Sequence, residues 1–306
     1  FILVSNSRKN RVDKFAKNYN IDYVNIDIDK DQRLFIDPLL IEKDNTAFGL
    51  IANRKVSSYF REMYRLYKNN SPKQERMKLF SHCHEIQSTH LGYATTKSGS
   101  GNTPEGMNLI FSGVTNYIKN CNLKRTYEAV LFTPNFAEDG LSDLITNVIF
   151  KELSEFTISQ CKKYGYPTTS SNGNRYYWDD VSNTWKKYTG EALVINGKEI
   201  LLVPKRIVQT KYRFTTDNYI RSVIVENICK DKATYDNNGK EIRPPKGKIR
   251  EKLIEEYGSQ FNVSTSFTLQ KPDNLDIYYS IISGKYNDYA LSDDQLDAII
   301  YKNSAN

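Results

Sequence analysis

Three aspartates stand where one predicted element gives way to the next. Asp37 ends an apolar run, Asp139 lies in the acidic loop after the apolar residues 129–132, and Asp143 follows Ser142 at a predicted helix start. Function is often carried on such loops, and carboxylate oxygens are the ligands that Mg²⁺ prefers. The pattern predicts a site for Mg²⁺ or Mn²⁺ held by Asp37, Asp139 and Asp143.

Lys205 supplies the positive charge that phosphodiester cleavage would need. It follows a predicted β-hairpin, so it also lies at the end of an element. A lysine beside bound metal can steady the attacking water or the charge that develops on a phosphate. We expect metal-dependent cleavage if Asp143 and Lys205 converge. The alternative for Asp143 is a capping role, because a helix N-terminus favours negative charge.

Basic residues form predicted cationic surfaces. Lysine plus arginine outnumber aspartate plus glutamate by 43 to 36, a formal charge of +7, and such an excess attracts polyanions. The predicted helix at 48–68 carries Arg54 and Arg61 on one face, and a basic patch after the hairpin contains Arg206 and Lys211. We expect these residues to bind nucleic acid, with a solvated face as the alternative.

A glycine-rich loop adds Lys97 to the expected nucleic-acid contacts. Gly99 and Gly101 follow this lysine, and Pro104 begins a predicted helix. Backbone N–H groups of such a loop, together with a helix N-terminus, can bind a phosphate. The residue order is not that of a nucleoside-triphosphate loop, so ATP use is not inferred.

All three histidines lie in residues 78–93, as His82, His84 and His90. On a strand, His82 and His84 would share one face and could hold a metal. Their spacing matches no zinc signature, so a metal site here remains an alternative.

The elements that must position these residues mix strands with helices. Alternating apolar residues, apolar residues at helical spacing and capping residues predict the strands and helices in the first half of the chain. The assignments are a strand at 1–5, a helix at 7–19, a hairpin from 24–28 and 34–38, helices at 48–68 and 105–120, a strand at 129–132, and a helix from Ser142.

In the second half of the chain, the sequence predicts hairpins followed by helices. Aromatic segments flank a polar turn at 180–183, and Asn196-Gly197 between apolar runs is a strong hairpin signal. Helices are predicted at 216–230, 246–260, 271–282 and 292–302.

These elements predict a mixed α/β (α+β) fold. We expect a central mixed β-sheet with flanking helices, β-hairpins in the middle of the chain and a mainly helical C-terminal part. Residues 1–166 would form the α/β core. Residues 167–306 would carry the hairpins and helices and pack on that core.

Composition restricts the setting of the protein. Four widely spaced cysteines without a C-x-x-C pair are typical of reduced thiols, which predicts a cytoplasmic location. No apolar run approaches the roughly 20 residues of a membrane helix, so no membrane partner is expected. Phe1 is not a natural start, and we expect residues upstream of it.

Four segments resemble an uncharacterised family of bacterial proteins associated with phage-defence and restriction loci. The resemblance runs from about residue 30 to 210. The segments are Phe-Ile-Asp-Pro at 35–38, Leu-Gly-Tyr with the glycine-rich loop at 91–101, Ser-Asp-Leu-Ile-Thr-Asn at 142–147, and Leu-Val-Pro-Lys at 202–205.

The sequence also loosely resembles the PD-(D/E)XK nuclease pattern. That resemblance implies Asp143 as the leading aspartate and Lys205 as the lysine. Val203 occupies the position of the second acid. Glu199, Glu152 or Asp37 would then substitute, and we take Glu199 as the third catalytic residue.

Two functions follow from these observations. One is a metal-dependent nuclease or nuclease-like effector of anti-phage defence, acting on DNA or RNA. The other is a non-catalytic nucleic-acid-binding or scaffolding subunit of a defence complex, with Trp178 and Trp185 either in the core or forming a stacking platform. Both predict nucleic acid as one partner and a further subunit, or a second copy of the chain, as another.

Overall fold

A computed structural model of the chain describes residues 11–14, 20–93, 103–121, 123–134, 136, 138–171, 173–286 and 289–302. Up to residue 165, the described elements are one short strand and a series of helices. They are β1 (Phe35–Ile36), α1 (Pro38–Lys43), α2 (Ala47–Lys68), α3 (Lys73–Leu79), α4 (Pro104–Gly113), α5 (Thr115–Cys121), α6 (Glu128–Phe132), α7 (Glu138–Val148) and α8 (Phe150–Tyr164).

Short strands and further helices follow. The strands are β2 (Thr168–Ser170), β3 (Tyr176–Asp179), β4 (Thr184–Lys187), β5 (Glu191–Ile195), β6 (Lys198–Ile200), β7 (Val208–Gln209), β8 (Thr234–Tyr235) and β9 (Glu241–Ile242). The helices are α9 (Thr216–Tyr219), α10 (Val225–Asp231), α11 (Lys246–Tyr257), α12 (Gln260–Gln270), α13 (Asn274–Ser283) and α14 (Asp293–Lys302), with a π-helical turn (Ile220–Ile224) between α9 and α10.

The predicted mixed α/β class and the helical C-terminal part are confirmed. The strands form small antiparallel sheets in place of the expected central sheet, paired as β1–β7, β2–β5–β6, β3–β4 and β8–β9. Helices supply most of the core, and one buried apolar cluster draws on both halves of the chain. Among the described residues, no helix is both long and apolar enough to span a bilayer.

Helix α2 confirms the prediction for residues 48–68. Thr46 caps it, with its Oγ1 accepting the Gly49 N–H at 3.2 Å. An ideal Cβ on Gly49 would lie 2.2 Å from the Asp44 carbonyl oxygen, so only glycine fits where α1 turns into α2. The apolar face is buried and the cationic face is left outside.

A buried ion pair ties α2 to α8 and β3. Lys55 Nζ lies 2.9 Å from Glu152 Oε1, and both side chains are about one-twentieth exposed. The same ammonium donates to the Trp178 carbonyl at 3.1 Å and lies 4.7 Å from the Tyr177 ring centre. Burial raises the pKa of Glu152, and Lys55 opposes that rise. The two charges therefore stabilise each other where water is excluded.

Both predicted hairpins are present. Asn196 and Gly197 have φ of +52° and +77° in the turn between β5 and β6. Trp178 and Trp185 stand opposite each other in β3–β4. Trp178 is 1% exposed, and its Nε1 donates to Ser58 Oγ, so this residue belongs to the core.

The apolar run at 129–132, predicted as a strand, is helix α6. Each of its residues is buried, so the run has no exposed face from which its period could be read. The following helix begins at Glu138, four residues before the predicted Ser142. The capping interpretation of Asp143 is therefore wrong, since Asp143 lies in the helix interior.

Residues 24–28 and 34–38 do not form a hairpin. The Val24 N–H donates to the Val203 carbonyl at 2.9 Å, and β1 pairs with β7. The polar residues of the alternating segment are buried too. Asn25, for example, bonds with the Arg11 side chain and the Asp13 backbone, so buried hydrogen bonds replace the expected solvent face.

Three further helix predictions need correction. Residues 11–14 are not helical, while 1–10 and 15–19, with the predicted strand at 1–5, lie outside the described residues. The helix at 105–120 is interrupted at Val114 between α4 and α5. The predicted helix at 246–260 is shorter in the structure, where α11 ends at its C-cap, Gly258. Ser259 then caps α12, which was not predicted.

Candidate functional site

Helix α7 positions two of the three predicted metal ligands. Asp139 and Asp143 are four residues apart, so they share one face. The Asp139 carboxylate accepts the Tyr93 backbone N–H. Gly92 has a φ of +135°, which favours glycine, and an ideal Cβ at this position would lie 3.0 Å from Asp139 Oδ1.

Two other segments bring further carboxylates to this face. Asn147 Nδ2 donates to the His84 carbonyl at 2.6 Å, which holds the adjacent Glu85 against α7. The Gln32 N–H donates to the His90 carbonyl at 2.7 Å, and this contact fixes the turn that carries Asp31. We call the resulting set the acid group: Asp31, Glu85, Asp139 and Asp143.

The acid group shares one electrostatic environment. Burial raises the pKa of Asp143 to about 8, with further increases from Asp139, Glu85 and Asp31. The pKa values of Asp139 and Glu85 are also raised, first by burial and then by neighbouring carboxylates. Since like charges oppose ionisation, Asp143 is mostly protonated at pH 7. His90 Nδ1 lies 3.6 Å from Oδ1 of Asp31, a member of the acid group.

Asp37 has a separate structural role. Its Oδ1 accepts the Leu39 N–H at 2.8 Å as the N-cap of α1, and its Oδ2 lies 3.2 Å from the Tyr286 hydroxyl. Burial raises its pKa to about 7. Burial raises the pKa of Tyr212, and the charges of both Asp37 and the α7 acids raise it further. Asp37 therefore lies near the acid group.

The other two predicted catalytic residues have different surroundings. Lys205 Nζ forms an ion pair with Asp293 of α14 at 2.7 Å. The pKa of the Tyr188 hydroxyl is raised by burial and, after it, by the negative charges of Glu155, Glu199 of β6 and Glu191. The charges that shift the pKa of Asp143 are carboxylates, with no lysine among them. The structure thus brings together Asp139 and Asp143, while the contacts described above for Lys205 and Glu199 are with other residues.

The predicted Mg²⁺ or Mn²⁺ has no ready ligand set. Among the described residues, no three histidine, cysteine, aspartate or glutamate side chains are grouped as a metal would require. His82 stacks on Tyr176, with ring centres 3.7 Å apart and planes 13° apart.

A cationic groove lies between α2 and α5. Its volume is about 470 Å³. Buried Ile118 and Leu123 form part of its floor, and no described lining residue is acidic. We call this the basic groove, after its four cations: Arg61, Arg65, Lys68 and Lys124.

Two cations of the basic groove are already paired. Arg65 contacts Glu62 at 2.6 Å, and Lys124 lies 3.4 Å from Asp276. Arg61 and Lys68, in contrast, make no ion pair or hydrogen bond through their side chains with any residue that the structure describes. These two charges are available to an anionic partner.

The other predicted nucleic-acid contacts are spread over the surface. Arg54 lies on the same helix as Arg61 and pairs with Asp180 at 2.6 Å. Arg206 pairs with Asp44 at 2.6 Å, and the carbonyl of Lys211 accepts the Tyr289 hydroxyl. Lys97 lies outside the described residues.

Sequence reasoning missed Asp31, Glu85 and Lys124. Nothing in the sequence spacing connects Asp31 or Glu85 with Asp143. Lys124 follows α5 and reaches the groove through tertiary packing. Arg65 and Lys68 lie on the same cationic face of α2 as the predicted Arg54 and Arg61.

The chain belongs to a family described as a domain of unknown function (DUF8370), whose model matches residues 14–215. The basic groove, the acid group and all four segments of the sequence resemblance lie within that match. No curated protein matches the chain significantly. No solved structure does so either.

Proposed function

We propose that the protein binds nucleic acid through the basic groove, as the non-catalytic alternative of the sequence analysis describes. The observation that carries the proposal is the pair of unpartnered cations, Arg61 and Lys68, in a groove whose described lining contains no acid. Because no acid is among the described residues that line the groove, these two charges are available to attract phosphates. Arg61 can also hold a phosphate by two parallel hydrogen bonds.

The cations of α2 have a spacing suited to a polymer. Arg54, Arg61, Arg65 and Lys68 are separated by seven, four and three residues, which keeps them on one face of the helix. At 1.5 Å per residue this row extends roughly 21 Å. A nucleic-acid backbone following the row would meet several cations at once, so its affinity would depend strongly on salt.

Removing the two unpartnered cations tests this proposal. We expect Arg61→Ala/Lys68→Ala to weaken binding of a labelled oligonucleotide by about tenfold per cation at 0.1 M salt, and to flatten the salt dependence. Fluorescence anisotropy over a salt series, with single-stranded and duplex DNA and RNA, measures both quantities. Alanine is a good helix former and should preserve α2.

Lys248→Ala/Lys252→Ala is the matched control, because it removes two exposed charges from α11, away from the groove. This control should bind like the wild type. Equal losses in the two double variants would mean that only net charge matters, and would refute a groove-specific contact.

The second candidate is a metal-dependent nuclease, and the acid group is the observation that favours it. Burial and then neighbouring carboxylates raise the pKa values of Asp143, Asp139 and Glu85, and a divalent cation would relieve the repulsion among these groups. Among the described residues, these carboxylates are not arranged as a ligand set.

Asp143→Asn tests the nuclease. Under this candidate, wild-type protein cuts DNA or RNA only with Mg²⁺ or Mn²⁺, and Asp143→Asn lowers the rate at least about hundredfold. Mg²⁺ should also raise the melting temperature of the wild type more than that of the variant, by ligand linkage. Asp294→Asn, at an exposed position of α14, is the control. No cutting and no Mg²⁺-dependent stabilisation would contradict the nuclease and leave the binding role.

The wider setting follows the sequence resemblance. An anti-phage complex with a partner subunit or a second copy of the chain is the proposed context. All four cysteines are buried free thiols, which agrees with a reducing compartment such as the cytoplasm. Light scattering of the purified chain, alone and with oligonucleotide, tests self-association.

A further inference from the structure

A small cleft lies between α7, α12 and the segment that precedes α9. Its volume is about 180 Å³. Val130, Tyr212 and Phe214 give it apolar, buried walls, and Phe261 is partly exposed at its edge. For comparison, an engineered apolar cavity of about 150 Å³ holds one benzene molecule. The cleft therefore has room for a body about the size of one ring.

Two polar side chains in this cleft lack partners. Neither the Glu138 carboxylate nor the Gln260 amide makes a hydrogen bond or ion pair with any described residue. The other lining acid, Asp217, is different. Its two oxygens are held by Arg221 at 2.8 Å and Arg250 at 2.5 Å. Glu138 is thus the unneutralised charge among the described lining residues.

The surrounding charges make the cleft favour cations. Tyr212, which forms one wall, experiences the negative charge of Glu138 and Asp139. Its hydroxyl is occupied by the backbone oxygens of Ile36 at 2.7 Å and Glu138 at 3.1 Å, so the ring is left for apolar contact. An ammonium beside the Glu138 carboxylate and the aromatic rings would be attracted.

The geometry points to a binding site for a small organic cation, with its ammonium on Glu138 and its apolar body against Tyr212, Phe214 and Val130. Gln260 can supply a further hydrogen bond at the edge. This site does not depend on the basic groove, which attracts the opposite charge. The same chemistry is offered by a free arylalkyl or alkyl amine and by a lysine side chain of another protein.

Benzylamine and benzyl alcohol are the probes, because they share a ring and differ in charge. Titration of the full chain by calorimetry or ligand-observed NMR at pH 7 should show benzylamine binding at least roughly tenfold more tightly than the alcohol, a factor typical of one favourable charge contact. Glu138→Gln should remove that difference and leave alcohol binding unchanged. Gln260→Trp, which fills the edge of the cleft, should weaken both probes.

Glu105→Gln is the matched control, since it makes the same substitution in the first turn of another helix. It should bind both probes like the wild type. Equal binding of the two probes, no binding of benzylamine, or equal effects of Glu138→Gln and Glu105→Gln would each overturn the inference.

A further titration identifies the source of the cation. Nα-acetyl-lysine amide that binds as tightly as benzylamine supports the site and assigns it to a lysine of another protein. Benzylamine binding at least tenfold more tightly supports the site and assigns it to a free aromatic amine.

Discussion

Glu152→Ala is expected to lower the free energy of unfolding by about 3–5 kcal/mol, the usual cost of leaving one partner of a buried ion pair alone. The variant keeps the Lys55 ammonium in a position that is 6% exposed, where it still contacts the Trp178 carbonyl and the Tyr177 ring. Urea unfolding followed by circular dichroism at pH 7 measures the loss.

A double substitution separates charge from packing. Lys55→Met/Glu152→Leu removes both charges and keeps most of the volume, so it should recover much of the stability lost in Glu152→Ala. Arg54→Ala is the control, because it breaks a neighbouring pair in which Arg54 is 63% exposed. That change should cost less than about 1 kcal/mol. Equal losses in Glu152→Ala and Arg54→Ala would contradict the buried-pair account.

The stability of the wild type should fall as pH rises from about 5 to 8. The folded pKa values of Asp143 and Asp37 are about 8 and about 7, against roughly 3.9 for an aspartate in an unfolded chain. In this range the folded state binds more protons than the unfolded state, so raising the pH favours unfolding. Each group contributes a slope of at most about 1.4 kcal/mol per pH unit.

Asp143→Asn should therefore stabilise the protein at pH 8 by on the order of 2–4 kcal/mol and make the pH profile shallower. Asparagine keeps the shape of the protonated acid. It never acquires the negative charge that burial and the charges of Asp139, Glu85 and Asp31 disfavour at this position. Urea unfolding at several pH values provides the test, with Asp294→Asn as the exposed control. A variant whose profile runs parallel to that of the wild type would show that Asp143 is not the titrating group.

The sequence correctly predicts elements whose capping, turn or periodic signals lie in adjacent residues. Helix α2 has a Thr46 cap and one continuous apolar face, and the β5–β6 turn has Asn196-Gly197. Helix α6 shows the limit. Its five residues are all buried, so alternation and helical spacing give the same pattern, and only tertiary packing decides between them.

The candidate sites were only partly predictable for a related reason. Arg61 and Asp143 were visible because each lies in a patterned segment. Glu85 reaches Asp143 through the Asn147 bond to the preceding carbonyl, a contact between segments far apart in the chain. The Lys205 partner, Asp293, comes from the last described helix. Composition and spacing carry no information on such encounters.

Strand β1 is hydrogen-bonded on both sides although it pairs with only one strand. On the side away from β7, the Ile36 N–H donates to Ser142 Oγ at 2.9 Å, and the Ile36 carbonyl accepts the Tyr212 hydroxyl at 2.7 Å. An edge whose donors and acceptors are satisfied by side chains offers no template to an incoming strand. Domain swapping or amyloid-like growth at this edge would first have to break both bonds.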